Sequence, residues 1–212
     1  MPVPTEEILA HPDHTHERRK PVGLEWWRGL RWFTASALLV LATIGLPSLA
    51  GYHWNLSRSL PLGLYAEVER PLLVGELVAV CLPPAVAQFG VDRGYVEHGG
   101  CADGVQPVLK RIAAVAGDIV DVQPEGVTIT LQQTHAIPHQ VANSAVLAHD
   151  RQGRPLPHVP WGPYTLQRGE LWLLSTTKAN SWDSRYFGPV SVFDVLATMR
   201  PVLTLAAERR CS

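Results

Sequence analysis

The feature that most constrains this chain is an uncharged, mostly apolar run over residues 32–52, WFTASALLVLATIGLPSLAGY. A helix needs about 20 mostly apolar residues to cross the hydrocarbon core of a bilayer. The run has this length, so it predicts one N-terminal transmembrane helix over residues 32–52, between a tail of residues 1–31 and a domain of residues 53–212. Two alternatives stay open: a buried core helix, and a cleaved signal peptide with Ser48-Leu49-Ala50 at its cleavage site.

The charges that flank the run predict its orientation. Close after it come only Arg58 and then Arg70, whereas several basic residues precede it: Arg18, Arg19, Lys20, Arg28 and Arg31. Because an excess of Lys and Arg marks the cytoplasmic side of a span, we expect a cytoplasmic tail, contact with the lipid bilayer and an exported domain. The flanking aromatic residues are expected to anchor the span at the two interfaces: Trp26, Trp27, Trp32, Tyr52 and Trp54.

The polar tail and the overall charge exclude some classes of function. His11, His14 and His16 lie close together, but a solvated, disordered tail explains them better than a metal site, so we predict no metal. The formal net charge of the chain is −1, which gives no electrostatic footprint for nucleic acid. We therefore expect no nucleic-acid partner.

Residues 53–212 predict a mainly β domain. Short runs rich in Val, Ile, Leu and Thr alternate with turns, and the chain has 18 prolines and 17 glycines. Residues 132–168 are the least regular part and are expected to form a long insertion or hairpin. The runs that we expect to be strands are residues 62–68, 76–82, 107–116, 119–122, 127–131, 171–175 and 196–205.

The chain has three cysteines, Cys81, Cys101 and Cys211. All three follow the predicted span, and disulfides persist in exported domains. Cys81 and Cys101 flank a glycine-rich segment, so we predict a disulfide between them, with Cys211 left over. Three reduced thiols are the alternative, because three cysteines do not force any pairing.

A segment directly after the predicted span carries two serines two residues apart, in the sequence NLSRSLPLGLY. Ser57 and Ser59 precede Pro61, which favours an extended backbone at Leu60. Such a segment suits an active-site turn, and a serine-rich linker beside the membrane is the alternative.

A lysine lies inside an apolar run, PVLKRIAAVAGD. Burial can lower the pKa of a lysine by several units from about 10.4, which makes a neutral amine available as a base. Strand alternation puts Lys110 on the face of Val108 and Ile112, with Arg111 on the other face. Both faces are apolar, so the alternation leaves open which of the two basic residues points inward. The alternative is a Lys-Arg pair that protects an edge strand from aggregation.

A third polar segment, NSWDSRYFGP, starts at Asn180. It is either an ordinary loop closed by an Asp183–Arg185 ion pair or a support for a catalytic pair elsewhere. In order and residue type, the three segments resemble the Ser box, the Lys box and the Ser-x-Asp-Ser-Arg box of type I signal peptidases.

The resemblance assigns roles by position. Ser59 resembles the nucleophile and Lys110 the general base of a Ser/Lys dyad. By the same resemblance, Ser57 corresponds to a side-chain oxyanion donor and Ser181 to a residue that orients the lysine. Asp183 and Arg185 correspond to a supporting ion pair.

Departures from the housekeeping enzymes resemble the TraF subgroup, the conjugative-transfer signal peptidases that process pilin precursors. The proline comes two residues after Ser59, the third box opens with Thr177-Lys178-Ala179-Asn180, and the predicted span is single. The segment over residues 150–157, DRQGRPLP, also fits that subgroup.

The resemblance implies a membrane-anchored serine endopeptidase with no cofactor. It would cleave membrane-inserted exported precursors, including a conjugative pilin, on the periplasmic face of the bacterial inner membrane. A non-catalytic, membrane-anchored β module of a secretion or conjugation apparatus is the alternative. A soluble self-cleaving regulator of the LexA type uses the same dyad, but the predicted span and the near-neutral charge disfavour it.

Overall fold

The computed structural model of the chain describes residues 23–57, 59–133 and 136–205, without the side chains of residues 23–25, 28, 41 and 44–49. The chain divides into two compact units, Met1–Leu46 and Pro47–Ser212. The histidines of the tail and Cys211 lie outside the described residues, as do the basic residues at positions 18–20 and 58.

Helix α1, Gly23–Leu49, includes most of the predicted apolar span but has different bounds. It ends before residue 52 because Gly51 adopts a positive φ of 73°, and Tyr52 already belongs to a strand. Apolar side chains in its middle, such as Phe33 and Leu38, are exposed. Among the described residues, no helix combines the length and the apolar character needed to cross a membrane, so the span over residues 32–52 is not confirmed.

The second unit is mainly β, as the sequence predicts. Its short helices are α2, Pro84–Asp92, and α3, Ser184–Phe187, and a 3-10 turn covers Val192–Asp194. Its strands are β1 (Tyr52–Asn55), β2 (Gly63–Val68), β3 (Leu77–Val80), β4 (Val108–Val115), β5 (Ile119–Gln123), β6 (Gly126–Thr130), β7 (His139–Gln140), β8 (Gly162–Thr165), β9 (Glu170–Leu174), β10 (Val190–Ser191) and β11 (Val195–Thr204).

The strands form two antiparallel sheets. The larger has the order β1-β2-β11-β3-β4-β9-β10, and the smaller has the order β7-β6-β5-β8. Strands β4 and β9 pair inside the larger sheet, where Ile112 and Leu173 are fully buried in one core cluster. Trp172, on the other face of β9, belongs to a second cluster with residues of β5 and β6.

Each of the seven predicted strands is present, with ends that differ by at most 2 residues. Strands β1, β7, β8 and β10 and helix α2 were not predicted. Strands β7 and β8 lie inside the region expected to be irregular, at the edges of the smaller sheet, and their side chains are mostly exposed. Without a buried face there is no alternation, so pairing with a neighbour defines these strands.

A second long segment, residues 81–107, connects β3 to β4 and is called the β3–β4 insertion below. The disulfide between Cys81 and Cys101 closes it, with a Cα–Cα distance of 5.8 Å. This is the pair that the sequence favoured. Within the insertion, Phe89 of α2 stacks on Trp182 with ring centroids 5.2 Å apart. The Tyr95 hydroxyl donates to Asp150 Oδ2 at 2.6 Å, which joins the insertion to the DRQGRPLP segment. The insertion therefore packs directly against the third polar segment.

Candidate active site

The loop that carries the two serines is shaped by Asn55, the buried last residue of β1. Its Nδ2 donates to the carbonyls of Ser57 (3.1 Å) and Pro61 (3.0 Å), and its Oδ1 accepts from the Ser57 N–H (3.2 Å). Asn55 thus holds both ends of a short loop whose backbone has no strand partner.

The structure brings the two serines of this loop together. Ser57 Oγ and Ser59 Oγ are 2.8 Å apart, and the Ser59 N–H donates to Ser57 Oγ at 3.3 Å. The two hydroxyls to which the resemblance gave a role in attack and oxyanion binding, those of Ser59 and Ser57, therefore meet at one point, and the Ser59 N–H lies beside them.

The carbonyl of Ser59 is held from the opposite side, by the segment that follows β9. Ser175 Oγ donates to it at 2.6 Å, and Thr177 Oγ1 donates to the same oxygen. The two hydroxyl oxygens are also 3.0 Å from each other. Ser59 is thus fixed between the β1–β2 loop and the end of β9.

Lys110 lies inside β4, whose residues alternate between buried and half-buried along the strand. As the alternation predicts, Lys110 shares the buried face with Val108 and Ile112, while Arg111 lies on the other face. The Lys110 side chain is almost fully buried, and burial lowers its pKa to about 8, although the nearby Asp183 carboxylate acts in the opposite direction. A lysine with this pKa is mostly protonated at pH 7, with about a tenth in the neutral form, far more than an ordinary lysine has.

The pairing of β4 with β9 relates Lys110 to Ser59. Arg111 pairs with Leu174, the last residue of β9, so Lys110 and Ser175 are the chain neighbours of this terminal pair. The Asp183 carboxylate connects the two: it acts on the pKa of Lys110 and accepts a hydrogen bond from the Ser175 N–H. Ser175 in turn donates to the carbonyl of Ser59. In the described part of the chain, however, no hydrogen bond joins Ser59 Oγ to Lys110 Nζ.

Asp183 and Arg185 form a completely buried ion pair. Arg185 Nε donates to Asp183 Oδ1 at 2.7 Å and its NH2 group donates to Oδ2 at 2.9 Å, so the contact is bidentate. Asp183 Oδ2 also accepts from the Ser175 N–H at 3.2 Å. The pair therefore supports Ser175 and lies close enough to Lys110 to affect its pKa.

Ser181 is buried beside this ion pair. Its carbonyl accepts from Arg185 at 3.1 Å, which fixes its backbone. Its hydroxyl oxygen has no hydrogen-bond partner among the described residues, so the bond to Lys110 that the resemblance implied is not formed. A buried hydroxyl without a partner is uncommon in a folded protein and often marks a functional position.

Sequence reasoning missed three residues of this site: Asn55, Ser175 and Thr177. Asn55 opens the first polar segment, and the sequence offered one signal for it, a side-chain amide at the end of a strand, where Asn commonly caps a turn. For the other two residues the sequence indicated only the end of a strand at Ser175 and the start of a loop at Thr177.

Among the described residues, no group of three or more His, Cys, Asp or Glu side chains could hold a metal ion.

Comparison with protein families identifies the chain. The model described as signal peptidase, peptidase S26, matches residues 25–203. The chain belongs to this family. The match contains all six residues to which the sequence assigned a role in catalysis or its support.

Curated relatives place this chain in the TraF subgroup of the family. "Plasmid transfer protein TraF" of Escherichia coli is 38% identical over 170 residues, which cover 79% of this chain and 90% of that protein. "Probable conjugal transfer protein TraF" of Sinorhizobium fredii (strain NBRC 101917 / NGR234) is 35% identical over 209 residues, 97% of this chain and 100% of that protein. "Conjugal transfer protein TraF" of Agrobacterium tumefaciens (strain 15955) is 36% identical over 181 residues, 84% and 96% of the two chains.

Among solved structures, a crystal structure of a signal peptidase I from Enterococcus faecalis V583 is similar to this peptidase-family chain. The identity is 16%, the match covers 62% of this chain and 97% of that chain, and the TM-score is 0.33. This likeness is too weak to add to the family assignment.

Proposed function

We propose that this protein is a serine endopeptidase with a Ser/Lys dyad, in which Ser59 is the nucleophile and Lys110 the general base. One observation carries the proposal: a buried lysine with a pKa of about 8 lies near Asp183, whose carboxylate accepts from the N–H of Ser175, and the Ser175 hydroxyl binds the backbone of Ser59. A lysine in an apolar core is costly, and a lowered pKa is what general-base catalysis requires.

The reaction starts when neutral Lys110 Nζ takes the proton of Ser59 Oγ. The serine oxygen attacks the scissile carbonyl, and a tetrahedral oxyanion forms. The carbon–nitrogen bond then breaks, and the Lys110 ammonium gives its proton to the leaving amine. Lys110, neutral again, takes a proton from a water molecule whose oxygen attacks the acyl ester. The ester carbon–oxygen bond then breaks, Lys110 returns that proton to Ser59 Oγ, and the carboxylic product leaves. Protons balance over the cycle, and no cofactor takes part.

The oxyanion is stabilised by the Ser59 N–H and the Ser57 hydroxyl. In the free protein the Ser59 N–H donates to Ser57 Oγ, so the two groups already converge. A substrate carbonyl oxygen that enters there receives both donors once the Ser57 hydroxyl turns its proton away from Ser59. Donors aimed at developing charge act in the transition state more than in the bound substrate.

The supporting residues act through Lys110 and Ser175. Ser181 offers a buried oxygen without a partner, which can accept a hydrogen bond from the Lys110 ammonium and restrict its rotation. The Asp183–Arg185 pair holds the Ser175 backbone and supplies a carboxylate near the lysine. These groups are positioning residues, because neither role needs contact with the substrate.

The substrate class is inferred from the relatives, whose names refer to plasmid transfer and conjugal transfer. We take the substrate to be an exported precursor, specifically a conjugative pilin precursor. Such precursors are inserted in the membrane before they are processed, so the enzyme has to work at the membrane surface.

The proposed location is the periplasmic face of the bacterial inner membrane, with the N-terminus in the cytoplasm. Support comes from helix α1, where Trp26, Trp32 and Phe33 are at least 69% exposed. An exposed group of large apolar side chains is unfavourable in water and favourable in lipid. Protease treatment of intact spheroplasts tests this location: the second unit should be digested and an N-terminal tag should be protected.

The direct test of function is cleavage of a pilin precursor by the purified, detergent-solubilised protein, followed by sequencing of the product termini. We expect one defined cut with the wild-type protein and none with Ser59→Ala or Lys110→Ala. Ser191→Ala, far along the chain in β10, is the matched control and should cleave normally. A non-catalytic module would leave the precursor intact with every variant while still binding it.

A further inference from the structure

Ser59 carries a backbone contact that the dyad mechanism does not use. Its carbonyl accepts hydrogen bonds from two hydroxyls of the segment after β9, at Ser175 and Thr177. A loop carbonyl with no strand partner is normally satisfied by water, whereas here one donor comes from a side chain that is 1% exposed. We call these two residues the hydroxyl clamp.

The clamp occupies the point where the parts of the site meet. Ser175 donates its hydroxyl to the Ser59 carbonyl and its N–H to Asp183, the carboxylate that also acts on Lys110. Holding the carbonyl fixes the peptide plane that follows Ser59. Asn55 fixes the backbone on the other side of the same serine. With both flanks fixed, the Ser59 hydroxyl can change direction only by rotation about the Cα–Cβ bond, between a few staggered positions.

We propose that the Ser175–Thr177 hydroxyl clamp is a positioning device that aims the Ser59 hydroxyl at Lys110. The inference rests on the proposed function and extends it to two residues that neither touch substrate nor exchange protons. Loss of alignment by about 1 Å can lower a rate by about 10²-fold. The clamp therefore controls the rate of the chemical step rather than the binding of the precursor.

The variants follow from the contacts. The double variant Ser175→Ala/Thr177→Val removes both hydroxyl donors. Thr177→Val alone removes one of the two donors, and because Thr177 is exposed this substitution should not disturb folding. Thr177→Ser keeps the hydroxyl and should restore activity. Thr176→Val is the matched control, because the hydroxyl of this exposed neighbour is not bonded to the Ser59 carbonyl in the described part of the chain.

Two readouts are measured on each full-length variant. The first is the kinetics of precursor cleavage, where we expect kcat to fall by about tenfold to about 10²-fold in the double variant, with KM nearly unchanged. The second is independent of proteolysis: the pH dependence of alkylation of Ser59→Cys by iodoacetamide, in a Cys211→Ser background. A thiol aimed at the Lys110 ammonium has a pKa below its ordinary value of about 8.5, and loss of the clamp should return it towards that value.

The outcomes separate the clamp from the dyad. A fall in kcat together with the shift in alkylation supports the clamp. If no precursor is cleaved by the wild-type protein but the alkylation midpoint still depends on the clamp, the clamp stands and the proposed function fails. Unchanged kcat, or a lower kcat with an unchanged alkylation midpoint, would overturn the clamp and leave the dyad as it was.

Discussion

Ser57 Oγ lies 2.8 Å from Ser59 Oγ and accepts the N–H of Ser59 at 3.3 Å, so one side chain contacts both reactive groups of its neighbour. The N–H contact by itself is an ST-turn, which any serine can form with the residue two positions on, whereas the contact between the two hydroxyls is not part of that turn. The arrangement fits an oxyanion donor that stays bonded within the loop until a substrate carbonyl enters.

Ser57→Ala should lower kcat by about 10²-fold to about 10³-fold, because that is the cost of removing one oxyanion donor in a serine peptidase. KM should stay nearly the same, since the hydroxyl acts on charge that develops in the transition state. Ser57→Thr keeps a hydroxyl and is the control. Steady-state kinetics on a precursor peptide provide the measurement, and normal kcat in Ser57→Ala would return Ser57 to a structural role in the loop.

The pH profile of cleavage should report the pKa of Lys110. Only the neutral amine accepts the Ser59 proton, and with a pKa of about 8 the rate should rise about tenfold per pH unit up to that point and then level off. Lys110→Arg should be inactive throughout, because a guanidinium stays protonated. A profile that keeps rising towards pH 10.5, the ordinary lysine pKa, would show that burial does not tune this residue.

The same burial should make Lys110 unfavourable for stability. Its pKa is about 8 in the folded chain and about 10.5 in the unfolded chain, so between these values the unfolded state binds more protons and wild-type stability rises with pH. At pH 7 both states are protonated, and the folded state bears the full cost of the buried charge. Lys110→Met should therefore raise the free energy of unfolding at pH 7 by on the order of 3 kcal/mol.

Denaturant unfolding of Lys110→Met at a series of pH values checks this expectation. The gain should shrink as the pH increases from 8 to 10.5, where wild-type Lys110 becomes neutral in both states. Lys178→Met, at a more exposed lysine, is the control and should change stability little at any pH. A Lys110→Met protein no more stable than wild type at pH 7 would mean that water reaches the lysine.

Asp183→Asn should destabilise the fold strongly. The substitution keeps the shape of the side chain but leaves the fully buried Arg185 without its carboxylate, which typically costs about 3–5 kcal/mol. Asp121→Asn, at a more exposed carboxylate of β5, is the control and should cost much less. Unfolding of both variants at pH 7 gives the comparison, and equal losses of stability would contradict the importance of the buried pair.

The sequence predicts β4 and the face that Lys110 shares with Val108 and Ile112, because alternation is a local property of the strand. It does not predict which of Lys110 and Arg111 points inward, because both faces of this strand are apolar. The three boxes could be identified from their residue types. The clamp could not be predicted, since the contact between Ser175 and Ser59 joins segments 116 residues apart. Nor does it place the start of β1, because Tyr52 continues an apolar run whose end is set by the conformation of Gly51.

The central claim is that Ser59 forms the acyl-enzyme, and trapping that ester tests it most directly. Wild-type protein mixed with a precursor peptide is quenched in acid within the first turnover, digested and mapped by mass spectrometry. We predict an acyl adduct on Ser59 alone, and none when Ser59→Ala or Lys110→Met is treated in the same way. An adduct on Ser57, or undiminished cleavage by Ser59→Ala, would contradict the Ser/Lys mechanism.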